Sequence, residues 1–339
     1  MNSLLDFTTI NNGVARNQTK LNNSTGCFVS INVFAVMVVI SITFSLAMLL
    51  PIDIAYGQQQ QQQPSSSTSN SGKVVILTFG DTLKGQITTA KPILDKYGFK
   101  ASFFITCDWV GLQKSKTLRM NWQDISELQK DGQDIESKTM THRDLSKLSA
   151  ADLNFEVAQS KKCLVDHGIN RNVTIFATPH GDEWNNATII NEISKYYTLA
   201  DNGFAPLMFL HCDGYKNQSS QTDCRTYFDN GTLTFANRYS IREWSHNAID
   251  RKYKYNDPAI FQRFVQEVNS QQVYNRNDAI YAIPIIAYHD IDYEKATDST
   301  DTNLFDQEMK YLHDNGFKVI TMSDLGYDEI SKHLYLKNK

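Results

Sequence analysis

KVVILTFGDT, residues 73–82, is the stretch whose reading decides the fold. Val74, Val75, Ile76, Leu77 and Phe79 make a short apolar run led by β-branched residues, and the run breaks at Gly80-Asp81-Thr82. A run of this kind reads as a strand buried on both faces, which is what a parallel sheet flanked by helices requires. Ligands in such folds gather at the carboxyl ends of the strands, so Asp81 stands where chemistry is usually placed. The plainer reading is a turn in which Asp81 caps the next helix.

Outward from this strand, helix and strand patterns alternate to near the C-terminus. The spacing predicts a helix over 87–97, ended by Gly98 and weakened in its middle by Pro92. It then predicts a strand over 100–106, a helix over 122–130 and a brief strand over 133–136. Ser149 and Asp152 resemble a capping box, after which Leu153, Val157, Leu164 and Val165 recur at helical spacing. A strand over 173–177, a helix over 187–196 and a return to the sheet over 197–201 follow. From 204 to 229 the pattern is lost, and a long surface excursion held by cysteines is expected. Residues 281–288 read as a strand, Phe305, Met309 and Leu312 mark a helix ending at Gly316, and 317–322 read as the last strand. Repeated βα units over this length imply a parallel barrel or a doubly wound sheet.

The folded domain is expected over 73–339. Net charge is −4 with no long blocks of one sign, so no nucleic-acid partner is expected. Residues 27–50 are uncharged and almost wholly apolar, and they exceed the roughly 20 residues that cross a bilayer. They read as a transmembrane anchor or signal-peptide helix, with 1–26 as a cytoplasmic segment. Arg16 and Lys20 precede the run and no cation follows it until Lys73, which sends the domain out of the cytoplasm. Ala55-Tyr56-Gly57 has the small-x-small spacing of a cleavage site, so the domain is either anchored or released after Gly57. Residues 51–72, rich in Gln and Ser, form a polar tether. Sequons at Asn172, Asn186, Asn217 and Asn230 suit export. Of the cysteines beyond the apolar run, Cys212 and Cys224 bracket a polar loop and are the favoured disulfide; Cys107 with Cys163 follows by elimination.

Four segments at the strand ends then fall into an ordered set. The chain resembles the polysaccharide deacetylases, the NodB-homology family of carbohydrate esterases, from about Lys73 to Leu325. LTFGDT resembles that family's T-F-D-D-G, and the segment from Ser137 to His142, SKTMTH, resembles [NS]-H-x-x-x-H. FATPHGD, from Phe176 to Asp182, resembles F-A-Y-P-Y-G, and IIAYH, ending at His289, resembles the late strand that closes with His. The resemblance implies a distorted, incomplete (β/α) barrel preceded here by one hydrophobic helix. It implies hydrolysis of acetyl groups from a glycan by a divalent metal, zinc foremost, held by one Asp and two His. A second Asp would act as base, a late His as acid, and a backbone N–H would stabilise the oxyanion.

Carried over by residue, Asp81 and His142 fall on metal ligands, His289 on the acid and His180 on the oxyanion position. Arg242 resembles an Arg that this branch of the family uses to orient the base. Gly80, however, stands where the base should be, and Lys138 where the other metal His should be. Glu136, Asp182 or His180 could rebuild the lost roles from neighbouring loops. His167, His211, His246, His313 and His333 match no motif and read as surface or structural residues. Two functions follow: a metal-dependent deacetylase of cell-surface or extracellular polysaccharide with a modified site, or an inactive relative that binds acetylated glycan. A barrel glycosidase would need opposed carboxylates, for which Asp81 and Asp201 could stand, but the four ordered motifs count against it.

Overall fold

The computed structural model describes residues 72–114, 117–169, 173–181, 186–204, 207–210, 226–227, 233–234, 238–246, 258–276, 279–292, 299–331 and 333–337. The expected N-terminal segment, apolar helix and most of the tether lie outside the described residues, as do Cys212, Cys224, Asp182 and His211. Among the described residues no helix is long and apolar enough to cross a membrane.

Seven strands close into a parallel ring: β1 Val74–Phe79, β2 Ser102–Ile105, β3 Asp134–Ser137, β4 Ile175–Ala177, β5 Leu199–Phe204, β6 Ile241–Ser245 and β7 Ile285–Tyr288. β7 returns to β1, with Ile76 opposite Ile285 and Phe79 opposite Tyr288. An eighth strand, β8 Lys318–Ile320, pairs only with the first half of β1, placing Ile76 opposite Ile320. Thr78 and Phe79 pair instead with β2. Because Ile76 meets Ile285 across one edge and Ile320 across the other, β8 and β2 share an edge of β1. β8 therefore wedges β1 and β2 apart at their amino ends. This is the incomplete barrel expected from the sequence.

The pleat sorts the core. Val75, Leu77 and Phe79 point outward into a layer completed by α1 Lys91–Lys96, α2 Trp122–Lys130, α3 Ala150–Asn154, α4 Ser160–Asp166, α5 Ala187–Ser194, α6 Pro258–Asn269 and α7 Thr302–Asp314. Phe79 stacks on Phe103 at 4.9 Å and on Tyr288 at 5.6 Å. Val74 and Ile76 point into the barrel with Ile175, Leu199, Ile241 and Ile285. Each such buried side chain contributes about 1.5–3 kcal/mol. Alternation of this kind is the period-two signature of a strand covered on both faces.

The expected helix over 87–97 is a π turn, Gln86–Ala90, running into α1. Pro92 stands where the π turn passes into α1, and with no N–H it donates no helix bond there. The expected strand over 281–288 divides at Pro284: Ala282–Ile283 pairs antiparallel with Met208–Phe209, and only β7 joins the ring. Proline, with no N–H to give to a ladder, marks the change of partner. β6 and α6 were not foreseen. Ser149 caps α3 as expected, accepting from Asp152 N. The disulfide among the described residues is Cys107–Cys163, the pair reached by elimination.

Candidate functional site

At the carboxyl end of the ring the inward positions change from large and apolar to polar or small. Along β1 the inward series Val74, Ile76, Thr78 ends at Gly80; along β5 Leu199 gives way to Asp201 and Gly203; along β6 Ile241 gives way to Glu243 and Ser245; along β7 Ile285 leads to Ala287 and His289. The polar and small residues at these ends, with Asp81, Lys138, His142, His180 and Phe204, line a cavity of about 600 Å³.

The loops that carry the motif residues bend sharply. Asp81 (φ 72°), Thr82 (φ 60°), Thr139 (φ 62°) and His142 (φ 64°) all adopt left-handed backbone, at about 1–3 kcal/mol each. Neighbours hold them there. Thr106 N donates to Thr82 Oγ1 at 2.9 Å, Met120 N to Thr82 O at 2.9 Å, and Arg119 Nη1 to Asp81 O. Gln86 Nε2 bridges Gly80 O and His289 O, tying the first and last motifs. In the second motif His142 N donates to Thr139 Oγ1 at 2.9 Å, and Glu156 Oε2 accepts from Met140 N (3.0 Å) and Thr141 N (2.8 Å). Trp109 stacks on His142 with ring centres 4.5 Å apart, and the Arg119 guanidinium lies over the Trp109 ring, 4.2 Å from its centre.

Asp81 is the centre of the constellation. Its Oδ1 lies 2.8 Å from Lys138 Nζ and 3.2 Å from His142 Nε2, and its Oδ2 lies 3.7 Å from His289 Nε2. Burial alone would raise the Asp81 carboxyl, but the Lys138 ammonium, helped by the two imidazoles, holds it well below the usual carboxylate range. Burial likewise opposes the Lys138 charge, yet Asp81 foremost, with Glu243 and Asp201, raises that amine above an ordinary lysine. His142 is pushed down by burial, with Asp81 opposing and Lys138 adding to the fall. Behind Lys138, burial and then Glu243 push the Asp201 carboxyl well up. The pair shares a side-chain hydrogen bond, and Thr78 Oγ1 donates to Glu243 Oε2 at 2.9 Å.

Gly80 and Lys138 are one feature. A Cβ at position 80 would lie 2.8 Å from Lys138 Nζ, so the ammonium occupies the space that a side chain there would enter. The same ammonium stands beside Asp81 where a third metal ligand is required. Asp81 Oδ1 and His142 Nε2 lie 3.2 Å apart and out of solvent, and their spacing would suit two corners of a metal site. A protonated amine has no lone pair to offer and repels a dication. Among the described residues no cluster of three His, Cys, Asp or Glu side chains could hold a metal ion. The donor set does not fit the expected catalytic metal.

The remaining expected residues divide. His180 lines the cavity with its ring edge-on to His142 at 5.3 Å. Arg242 is buried on β6 but does not line the cavity; the pleat turns it the opposite way from Glu243. Glu136 is no replacement base. It is fully buried, accepts from Thr174 N (2.9 Å) and Ile175 N (2.8 Å), and burial, with Asp134 adding, pushes its carboxyl well up. His246 is structural: its Nε2 meets Glu308 Oε1 at 2.7 Å and its Nδ1 meets Thr300 Oγ1 at 3.1 Å, all out of solvent. Glu243, Phe204 and the Trp109–Arg119 stack were not anticipated. Inward alternation would have found Glu243 had β6 been recognised.

Fold and site together define a parallel (β/α) barrel whose motif loops converge on one strand-end cavity. Residues 67–198 match the family model described as polysaccharide deacetylase. The polysaccharide deacetylase homologue YxkH of Bacillus subtilis (strain 168) is 32% identical over 111 residues, which is 33% of this chain and 38% of that protein. The chain thus spans well under half the length of that curated relative. A family 4 carbohydrate esterase from Streptomyces lividans in complex with acetate aligns at 14% identity over 79% of this chain and 100% of that one, with TM-score 0.45. A wild-type family 4 pseudoenzyme from Bacillus anthracis aligns at 16% identity over 75% of this chain and 65% of that one, with TM-score 0.42. Residues 67–198 of this chain thus match a polysaccharide deacetylase model, and Gly80 and Lys138 within them depart from the motifs that the sequence resembles.

Proposed function

We propose that this domain binds polysaccharide of the family's substrate class without hydrolysing it. The observation that carries this reading is the position of Lys138 Nζ, 2.8 Å both from Asp81 Oδ1 and from where a Cβ on Gly80 would stand. One ammonium fills the place of the base and the place of a metal ligand. Loss of a general base costs about 10²–10⁴ in rate; loss of the third ligand removes the usual minimum for a catalytic metal. The cavity itself persists, and Phe204, 54% exposed at its lip, offers an apolar face for a sugar ring.

The metal-dependent hydrolase is the second reading, favoured by the convergence of Asp81 Oδ1 and His142 Nε2 at 3.2 Å. It requires Lys138 to leave. The glycosidase reading loses its carboxylates, since Asp81 is paired with Lys138 and Asp201 with Glu243. The charge order around the apolar run, Arg16 and Lys20 before it and Lys73 after it, supports an extracytoplasmic domain, anchored or released.

The test incubates the full chain with N-acetylated oligosaccharides and zinc, measuring both binding and acetate. Binding with no acetate above the protein-free control is expected, and Phe204→Ala should weaken binding about tenfold. Sustained acetate release by the unaltered protein would contradict the proposal.

A further inference from the structure

The second motif loop, residues 139–142, lies between two clamps, and one of them is closed by a bond that thiols can open; this inference rests on the glycan-binding reading above. On one side is Glu156, in the helical segment between α3 and α4, whose carboxylate accepts from Met140 N, Thr141 N and Thr141 Oγ1. On the other is the turn Cys107–Trp109 after β2, whose Cys107 N and Asp108 N donate to Thr139 O (3.4 Å) and Met140 O (2.9 Å). The Cys107–Cys163 disulfide ties that turn to α4 across 56 residues of sequence. Loop, turn and helix are thereby locked together.

The turn reaches the cavity. Trp109 at its end stacks on His142, and Arg119 lies over Trp109 while donating to Asp81 O. Thr106, just before the turn, joins both motif loops: its N–H donates to Thr82 Oγ1 (2.9 Å) and its hydroxyl to Lys138 O (3.0 Å). Asp81, Thr82, Thr139 and His142 are the four left-handed residues other than glycine among the described residues, so the backbone of the cavity wall is held against strain by these neighbours. With the disulfide open, the backbone of the turn would grip loop 139–142 through two hydrogen bonds, one of them long.

One of the two sulfurs is accessible. Cys107 is 5% exposed, whereas Cys163 is only half-buried. It lies beside the exposed His167, whose Nδ1 stands 3.9 Å from Cys163 Sγ. Access decides which sulfur a thiolate attacks, and here that sulfur belongs to Cys163.

We propose that the Cys107–Cys163 disulfide is a redox switch for the cavity: reduction by a dithiol frees the Cys107–Trp109 turn and lowers affinity for glycan, and reoxidation restores it. One thiolate of the dithiol attacks Cys163 Sγ, the S–S bond breaks, and its electron pair leaves on Cys107 Sγ, which takes up a proton. The second thiol of the reductant, losing its proton, displaces Cys163 as a thiol, and the dithiol departs as a cyclic disulfide. The protein gains the two electrons that the dithiol loses. The element biased by the switch is the pair of turn 107–109 and loop 139–142.

The test measures binding of the N-acetylglucosamine tetramer to the full chain by calorimetry, in the oxidised form and after dithiothreitol. Mass mapping counts the free thiols, and amide exchange is followed over residues 107–109 and 139–142. The reduced protein, still folded, is expected to bind about tenfold more weakly, to exchange faster over both segments, and to recover with oxidised glutathione. Cys163→Ser should bind like the reduced protein with or without dithiothreitol, which separates this bond from any other disulfide of the chain. Unchanged affinity with Cys107 and Cys163 both free overturns the inference and leaves the glycan-binding reading standing. So does a bond that opens only when the protein unfolds, or a Cys163→Ser variant that still loses affinity on reduction. If Cys163→Ser does not fold, the thiol count in the wild-type protein decides: affinity lost while Cys107–Cys163 is intact contradicts the switch. If the oxidised protein does not bind the tetramer, the glycan-binding reading falls, and exchange decides the rest. Faster exchange over 139–142 that reverses on reoxidation then supports the switch, and unchanged exchange overturns it.

Discussion

Lys138 is where this site departs from the motif it resembles, and its physics is that of a buried ion pair. Its side chain is 9% exposed and that of Asp81 19%, so neither charge can turn to water if the other is removed. Breaking a buried pair from one side costs about 3–5 kcal/mol, because it strands the partner's charge. Asp81→Asn and Lys138→Met should each lower stability by about that amount in urea denaturation, and the double variant should lose less than either. Additive losses would show that the two do not act as a pair. The folded Asp81 carboxyl lies below its ordinary 3.8. Its contribution is therefore complete above pH 3.8 and disappears as pH falls through the lower folded value. At this scale the sequence was informative where chemistry alone decides: Gly80 and Lys138 were visible as departures from the motif. What could not be read was that the two fill one space, because the approach of Lys138 to residue 80 depends on how β1 and β3 end.

Strands and loops account for what was missed. Strands 1, 2, 4 and 7 show as apolar runs because both faces are covered. β6 reads IREWS, with Glu243 facing the cavity and Arg242 the other way, and so it has no apolar run to betray it. α6 was legible in principle, since Ile260, Phe264 and Val268, all buried, recur every four residues. The disulfide was ranked second because Cys107 and Cys163 share no local signal; the fold brings the turn after β2 against α4. It braces the site as well, for Cys107 N and Asp108 N donate to Thr139 O (3.4 Å) and Met140 O (2.9 Å). Cys163→Ser should cost about 2–4 kcal/mol and speed amide exchange over residues 139–142; unchanged exchange there would confine the disulfide to stability. The segment after β7 makes a pH prediction. Burial, then Asp292, raises Asp290 to about 6, against bonds from Ile291 and Gly85 and the charge of Arg119. A raised carboxyl favours the folded state below its unfolded value and loses that contribution as pH rises through about 6. Asp290→Asn should therefore stabilise the protein by about 1–3 kcal/mol at pH 8 and change little at pH 4. Equal effects at both pH values would contradict the assignment.

For the whole molecule, the ring order gives the account its reach. Closure through β7 and β1 brings residues 80, 138, 180 and 289 to one mouth although they are spread along the chain. That convergence was implied by the family resemblance; the wedge of β8 under β2 was not, because no local pattern fixes which half of a strand a neighbour takes. The order of charges about residues 27–50 implies that protease added to intact cells should remove the domain. Full protection would contradict an extracytoplasmic position.

The central claim is that an internal ammonium stands in for both base and metal ligand, and metal content tests it most directly. The full chain and its Gly80→Asp/Lys138→His variant would each be loaded with zinc, dialysed and assayed for bound metal. The account predicts substoichiometric zinc in the unaltered chain and one equivalent in the double variant. One tightly held equivalent in the unaltered chain would contradict it.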